Sequence, residues 1–161
     1  MPHMQPKSYV LQAEPVVVRV TPYGFLRYAK EFLQAAQAIP RQDGFSPVPY
    51  YLFCRSLELG LKAFVLAKGD TVEAVKKKLG HDLIKTLTRA NALGLAAIVP
   101  VSPDELSEVA KANAYYVGKG FEYFQLIPAV TGYPDLASLS VLEGLADRLI
   151  TAAEPVCLSC S

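Results

Sequence analysis

The chain has 161 residues, of which 52% are hydrophobic and 19% charged, with a formal net charge of +1. This length and apolar content predict one folded domain with a substantial core and exclude a disordered chain. The net charge gives no general reason for nucleic-acid binding, so such a site would have to be a local patch. No apolar run is long enough for a transmembrane helix, and residues near Met1 lack the apolar region of a secretory signal. We therefore expect a cytoplasmic protein without a membrane partner.

The first forty residues predict an extended segment followed by a helix. Residues 1–20 show no helical period, and the valines at 16–18 predict a short extended segment packed on the rest of the fold. Thr21 followed by Pro22 is typical of a helix start, and Pro40 ends that helix.

The next stretch predicts one long, mostly buried helix over residues 47–68. Ser46 can cap it, Pro47 suits its first turn, and Gly69 lies just past its end. Apolar residues recur at helical spacing and cover most of the helix surface. A helix that is apolar almost all round is usually central in its domain, so the remaining helices should pack around this one.

Three charged residues, Arg55, Glu58 and Lys62, interrupt that apolar surface. Their i, i+3 and i, i+4 spacing places them on one strip of the helix. The strip fits either a solvated ion-pair seam or a polar site in an apolar wall, because charges are expensive to bury unless they are paired or used.

Two short helices are predicted next. Asp70 and Glu73 form a capping signature for a helix that Gly80 ends, and Asp82 caps a second helix that runs to about Leu93. The first of these helices carries a run of three lysines at 76–78, which is either a solvated face or a phosphate contact.

The last third of the chain predicts two more helices. Ser102, Pro103 and Glu105 form a capping box with a first-turn proline, and that helix ends near Gly118. Its residues at helical spacing are Leu106, Val109, Ala110, Asn113 and Val117. Residues 121–133 are aromatic and are predicted to form an ordered loop. A final helix from about residue 135 to 153 should end at Pro155. The CxxC pair of Cys157 and Cys160 has no second ligand pair, so we interpret it as part of a frayed tail rather than a zinc site.

His81 is the main candidate for acid–base chemistry. The chain has two histidines, and the other, His3, lies in the N-terminal segment. Capping of the next helix would be enough to explain Asp82 without a functional role. A second cluster of aromatic and charged residues around Tyr116 and Lys119 fits either aromatic packing or phosphate and base contacts.

These stretches resemble the HEPN superfamily of helical domains associated with nucleotides and RNA. The resemblance is carried by RSLELGLKAFVLAKG (Arg55–Gly69), GHDLIKTL (Gly80–Leu87) and NAYYVGKGFEY (Asn113–Tyr123), and it spans about residues 21–153. It implies an all-α fold, an antiparallel up-and-down bundle of four to five helices that often dimerises. Active nucleases of the family carry an Arg followed by a His near the end of the domain. Here Lys119 stands near the expected Arg and no His follows it.

The resemblance implies a protein of a toxin–antitoxin or phage-defence system that binds RNA or a nucleotide as a homodimer, without metal or cofactor. One alternative is a metal-independent ribonuclease that uses His81. Another is an interaction module for a nucleotidyltransferase or antitoxin partner.

The domain is expected over residues 21–153, between an extended segment at 1–20 and a tail at 154–161. The predicted ligand site comprises Arg55, Glu58, Lys62, Asp82, Tyr116 and Lys119, with His81 as its catalytic residue. A phosphate could meet Lys62, Lys119 and the backbone amides of residues 82–84, because helix N-termini attract anions.

Overall fold

The computed structural model describes residues 20–41, 44–123 and 132–160, and these ranges are all-helical. They contain a short 3-10 helix (Leu95–Ala97), no strand and six α-helices: α1 (Pro22–Ala38), α2 (Pro47–Ala67), α3 (Val72–Leu79), α4 (Leu83–Ala92), α5 (Pro103–Tyr116) and α6 (Leu139–Leu158). The predicted all-α class is therefore confirmed, with six α-helices in the described ranges instead of four to five. The predicted segment at 16–18, part of the turn before α2 and most of the aromatic loop lie outside the described residues.

The helix α2 is at the centre of the fold, as its sequence predicts. Every residue from Ser56 to Leu66 is buried, and α2 contacts all five other α-helices. Its contacts with α1 and α6 are the most extensive, followed by those with α4. Because so much of its surface is enclosed, the polar strip of α2 must face other helices and loops rather than bulk water.

The helix starts follow capping chemistry, with two differences from the prediction. Ser46 is the N-cap residue of α2, but its side chain makes no capping hydrogen bond. The side chains of Thr21, Asp82 and Ser102 accept hydrogen bonds from the first turns of α1, α4 and α5. At α3 the cap is Thr71, whose hydroxyl accepts from the Ala74 amide at 3.2 Å. Asp70, the predicted cap, instead accepts two hydrogen bonds from the Arg89 guanidinium on α4, at 2.6 and 2.9 Å.

The predicted end of the last helix is wrong. Pro155 lies inside α6, which continues to Leu158. A proline removes one backbone hydrogen bond, but the turn that follows it is held by packing, since Cys157 is fully buried. Residues 154–158 are thus helical rather than a frayed tail, and burial raises the pKa of the Cys157 thiol to about 11.

The α5 region also differs from the expected pattern. The helix ends at Tyr116, and Leu106 and Val117, which were expected to face inward, are 45% and 49% exposed. Only one side of α5 packs on the fold, and it carries Val109, Ala112 and Tyr116. The buried face of α5 is therefore narrower than the spacing of its apolar residues predicts.

Gly60 marks a close approach between α2 and α6. A Cβ atom at this position would lie 3.0 Å from Leu149 Cδ2 and 3.4 Å from its Cγ. We expect Gly60→Ala to lower the free energy of unfolding by about 1–3 kcal/mol, because a methyl group added to a packed contact forces shifts. The matched control is Gly144→Ala on α6, where a Cβ would meet nothing within 4 Å. This change should raise the free energy of unfolding by about 0.5–1 kcal/mol, because alanine suits a helix better than glycine. Urea unfolding measures both, and equal stability of the two variants would contradict the close contact.

Candidate functional site

The polar strip of α2 forms the base of a cluster of five side chains, which we call the Glu58 cluster: Arg55, Glu58, Lys62, His81 and Tyr116. Its centre is the carboxylate of Glu58, which is 0% exposed. Arg55 Nη1 lies 3.2 Å from both Glu58 oxygens, and Lys62 Nζ lies 2.5 Å from Oε1. His81 Nδ1 lies 3.1 Å from Oε2, and the Tyr116 hydroxyl donates to the same oxygen. The cluster therefore joins α2, the α3–α4 connection and α5 at one carboxylate.

This arrangement explains how a charge can be buried in the centre of the fold. A carboxylate has about four lone-pair sites, and Glu58 has three neighbouring donor groups, Arg55, Lys62 and Tyr116, with His81 Nδ1 as a fourth contact. Burial works to raise the pKa of Glu58, but hydrogen bonds from Lys62 and Tyr116 and the charges of Lys62 and Arg55 outweigh it, so the pKa is lowered. Burial and the Glu58 charge raise the pKa of Tyr116. Glu58 is thus held ionised while Tyr116 keeps the proton that it donates.

Lys62 is enclosed rather than presented to solvent. The residue is 7% exposed, and its ammonium donates to the Gly80 carbonyl oxygen at 2.5 Å as well as to Glu58. Gly80 has a φ of 55°, in the left-handed region that favours glycine. Lys62 therefore links α2 to the turn that carries His81, and two of its three donors already have protein acceptors.

Asp82 is adjacent to the cluster but has its own contacts. Its Oδ1 accepts from the Lys85 amide at 3.0 Å and from Asn113 Nδ2 at 3.2 Å. Asn113 Oδ1 in turn accepts from the Leu83 amide at 2.8 Å. The Asp82 amide donates to the Leu79 carbonyl. The amides of Asp82 and Leu83, which were expected to meet a phosphate, therefore both donate to acceptors within the protein. Asp82 and Asn113 fix α4 against α5 and so set the position of His81.

Asn113 was not among the predicted site residues. The sequence places Asn113 at helical spacing with the apolar residues of α5. A polar side chain on a packed face normally has a specific partner, so this position could have identified Asn113 as a residue with a structural contact. What the sequence does not show is that the partner is the N-terminus of α4.

Lys119 lies apart from the Glu58 cluster. It follows the end of α5 with a φ of 59°, and its ammonium is 5.7 Å from the ring centroid of Tyr123. No described contact joins it to Glu58, Lys62 or His81. The neighbouring Tyr115 is partly buried, and its ring centroid lies 5.5 Å from that of Phe121. Within this second cluster, the exposed groups are Lys119, the neighbouring Glu122 and Tyr123, and Tyr123 is 63% exposed.

The Glu58 cluster reaches the surface through two of its side chains. The His81 side chain is 56% exposed and that of Arg55 is 27% exposed. The lysines at 76–78, in the last turn of α3, are exposed just before the turn that carries His81, and Lys85 is 67% exposed just after it. The side of the cluster that meets solvent is therefore a histidine and an arginine, with exposed lysines before and after His81 in the sequence.

We expect acid to destabilise the chain more steeply when Glu58 is present. The folded state holds the pKa of Glu58 below its usual value of about 4.3. Its contribution to stability is therefore complete above that pH and is lost as the pH falls through the lower folded pKa. Urea unfolding from about pH 7 to about pH 3 measures this, and Glu58→Gln should give a flatter curve because it does not titrate. Asp70, Glu105 and Glu108 also have lowered pKa values, so both proteins keep some slope. Parallel curves would contradict a stabilising, ionised Glu58.

Within the described ranges, no group of three or more His, Cys, Asp or Glu side chains is placed to hold a metal ion. None of the helices in those ranges has the length and apolar character needed to cross a membrane. No protein-family model, curated protein or solved structure matches this chain. The HEPN resemblance, the homodimer and the partners that it implies stay predictions.

Proposed function

We propose that this chain is a HEPN-like protein, an antiparallel up-and-down helical bundle that binds RNA or a nucleotide at the exposed side of the Glu58 cluster. The observation that carries the proposal is the set of contacts that Arg55, Lys62, Tyr116 and His81 make with the carboxylate of Glu58. Because that carboxylate is buried and satisfied, it does not present an unpaired negative charge to a ligand. An approaching phosphate meets Arg55 instead, beside His81, and guanidinium groups bind phosphate oxygens well.

The surrounding charge supports the same ligand. The lysines at 76–78 and Lys85 flank the turn that carries His81, and all four are exposed. Such a local group of cations can bind a phosphate backbone although the net charge of the chain is only +1. Lys119 and the exposed ring of Tyr123, beyond the end of α5, would add a phosphate contact and a stacking surface. In this proposal Lys62 and Asp82 act by holding Glu58 and His81 in place.

Binding is tested with a labelled single-stranded RNA of about twelve nucleotides. Fluorescence anisotropy between about 50 mM and 200 mM KCl should show affinity that falls with salt. Lys77→Ala and Lys85→Ala should each weaken binding at low salt and reduce the slope of log K against log salt by about 0.7, the effect of one lost phosphate contact on a single strand.

The control is Arg148→Ala on α6, which removes an exposed arginine whose contacts are with Glu105 on α5 and the Pro100 carbonyl. It should bind RNA as the unmodified chain does. Salt-independent binding by the unmodified chain, no binding, or an equal loss in the Arg148 variant would remove the proposed site.

A second candidate function is cleavage of RNA without metal. It is favoured by the 3.1 Å contact between His81 Nδ1 and Glu58, since a carboxylate that orients a histidine is a common feature of general bases. His81 would take the proton of a 2′-hydroxyl, whose oxygen attacks the adjacent phosphorus. The bond from phosphorus to the 5′-oxygen breaks, and that oxygen takes a proton from water. The expected products are 2′,3′-cyclic phosphate and 5′-hydroxyl ends, formed in EDTA and lost in His81→Asn. Intact RNA after incubation with stoichiometric protein would exclude this candidate.

A further inference from the structure

The position of His81 Nδ1 restricts where the imidazole proton can lie. Nδ1 is 3.2 and 3.1 Å from the two oxygens of Glu58 and 3.4 Å from Arg55 Nη1. Without a proton, Nδ1 would direct its lone pair at a carboxylate that is buried and ionised. The Arg55 contact is the longest of these, and Arg55 Nη1 already bonds both oxygens of Glu58 at 3.2 Å. A neutral His81 is therefore best satisfied with its proton on Nδ1.

The remaining nitrogen, Nε2, then carries a lone pair on the other edge of the ring. That edge is turned away from the buried carboxylate, and the side chain is 56% exposed. The ring also stands perpendicular to that of Tyr116, with centroids 6.5 Å apart. His81 thus offers a hydrogen-bond acceptor beside the donors of Arg55.

We infer that Glu58 is a positioning residue that holds His81 in its Nδ1–H form, so that Nε2 accepts a hydrogen bond from the ribose 2′-hydroxyl of a bound RNA. The identity of the ligand in this inference rests on the proposed function, whereas the position of the proton on the imidazole does not. A phosphodiester offers acceptors only, and these suit Arg55 and the lysines. The donor that RNA places next to its phosphate is the 2′-hydroxyl, which DNA lacks. The site would accordingly distinguish RNA from DNA.

The form of the imidazole is measured by long-range ¹H–¹⁵N NMR on the full chain without ligand, at a pH where His81 is neutral. There are two histidines, and the signals of His81 are those absent from His81→Asn. The expected result is a protonated, pyrrole-type shift for Nδ1 and an unprotonated, pyridine-type shift for Nε2. The opposite pattern in the unmodified chain overturns the inference without any need for a variant. Glu58→Gln, where it folds, should increase the share of the Nε2–H form.

The ligand part is tested with RNA and DNA oligonucleotides of one sequence. The unmodified chain should bind RNA about fivefold more tightly, the effect of a single hydrogen bond. His81→Asn keeps an amide donor near the Nδ1 position but has no atom at Nε2, so it should bind both oligonucleotides equally. His81→Gln places an amide near the Nε2 position and should keep part of the preference. Each variant should melt within about 4 °C of the unmodified chain, a change of about 1 kcal/mol or less.

The two parts fail separately. Equal binding of RNA and DNA by the unmodified chain overturns the role of Nε2 but leaves the proposed phosphate site standing. Binding of neither oligonucleotide removes the proposed function and the ribose contact together. The NMR measurement decides the role of Glu58 in either case.

Discussion

Glu58→Ala is expected to lower the free energy of unfolding by about 3–5 kcal/mol, because it removes one partner of a buried ion pair and leaves the other charge uncompensated. Lys62 is 7% exposed and is held between Glu58 and the Gly80 carbonyl. Without the carboxylate its ammonium has one backbone oxygen as a partner, and the Tyr116 hydroxyl also loses its acceptor. Urea unfolding of the purified variant measures the loss.

The matched control is Glu143→Ala. Glu143 also accepts hydrogen bonds from two side chains, Gln37 and Arg41, but its side chain is 33% exposed. Partly exposed pairs of this kind contribute about 0–1 kcal/mol. A loss below about 1 kcal/mol for Glu58→Ala would show that the cluster is solvated. Glu58→Met combined with Lys62→Met should recover much of the loss, because apolar replacement of both partners removes the buried charges.

Leu57→Ala is expected to cost about 2–5 kcal/mol, as large-to-small changes in packed cores do. Leu57 is 1% exposed and lies on the side of α2 that faces α4 and α6, where it borders an apolar void of about 10 Å³ with Leu83 and Leu149. The void is so small that the surrounding side chains are already close-packed, and truncation of Leu57 would leave a cavity that they fill only in part. Urea or thermal unfolding checks this value.

Leu106→Ala is the matched control for Leu57→Ala. The helical period of α5 predicts that Leu106 faces the core, but it is 45% exposed. Its truncation should change the free energy of unfolding by less than about 0.5 kcal/mol. Equal losses in the two variants would show that Leu106 packs against something that the described residues do not include.

Much of the fold is determined by local sequence chemistry. A hydroxyl or carboxylate cap acts within one turn of its own helix, so Thr21, Asp82 and Ser102 identify three helix starts without knowledge of any neighbour. The central place of α2 also follows from its sequence, because a helix that is apolar on nearly every side has to be surrounded. The same spacing argument places Arg55, Glu58 and Lys62 on one strip of that helix.

The contacts between helices could not be derived in this way. Thr71 caps α3 where Asp70 was expected, because Arg89 on α4 takes the Asp70 carboxylate. Pro155 does not end α6, because burial of Cys157 holds the turn that follows it. In both cases a partner distant in sequence changes a local preference.

The site shows the same division. The sequence identifies His81 as a candidate and shows that Glu58 needs a partner, since both conclusions depend on residue type and helical spacing. Tertiary structure alone decides that Tyr116 and His81 reach one carboxylate, that Lys62 is enclosed, and that Lys119 lies apart. Those outcomes depend on how α5 and the α3–α4 turn pack against α2, and a single sequence carries no periodic signal for the distance between side chains on different helices.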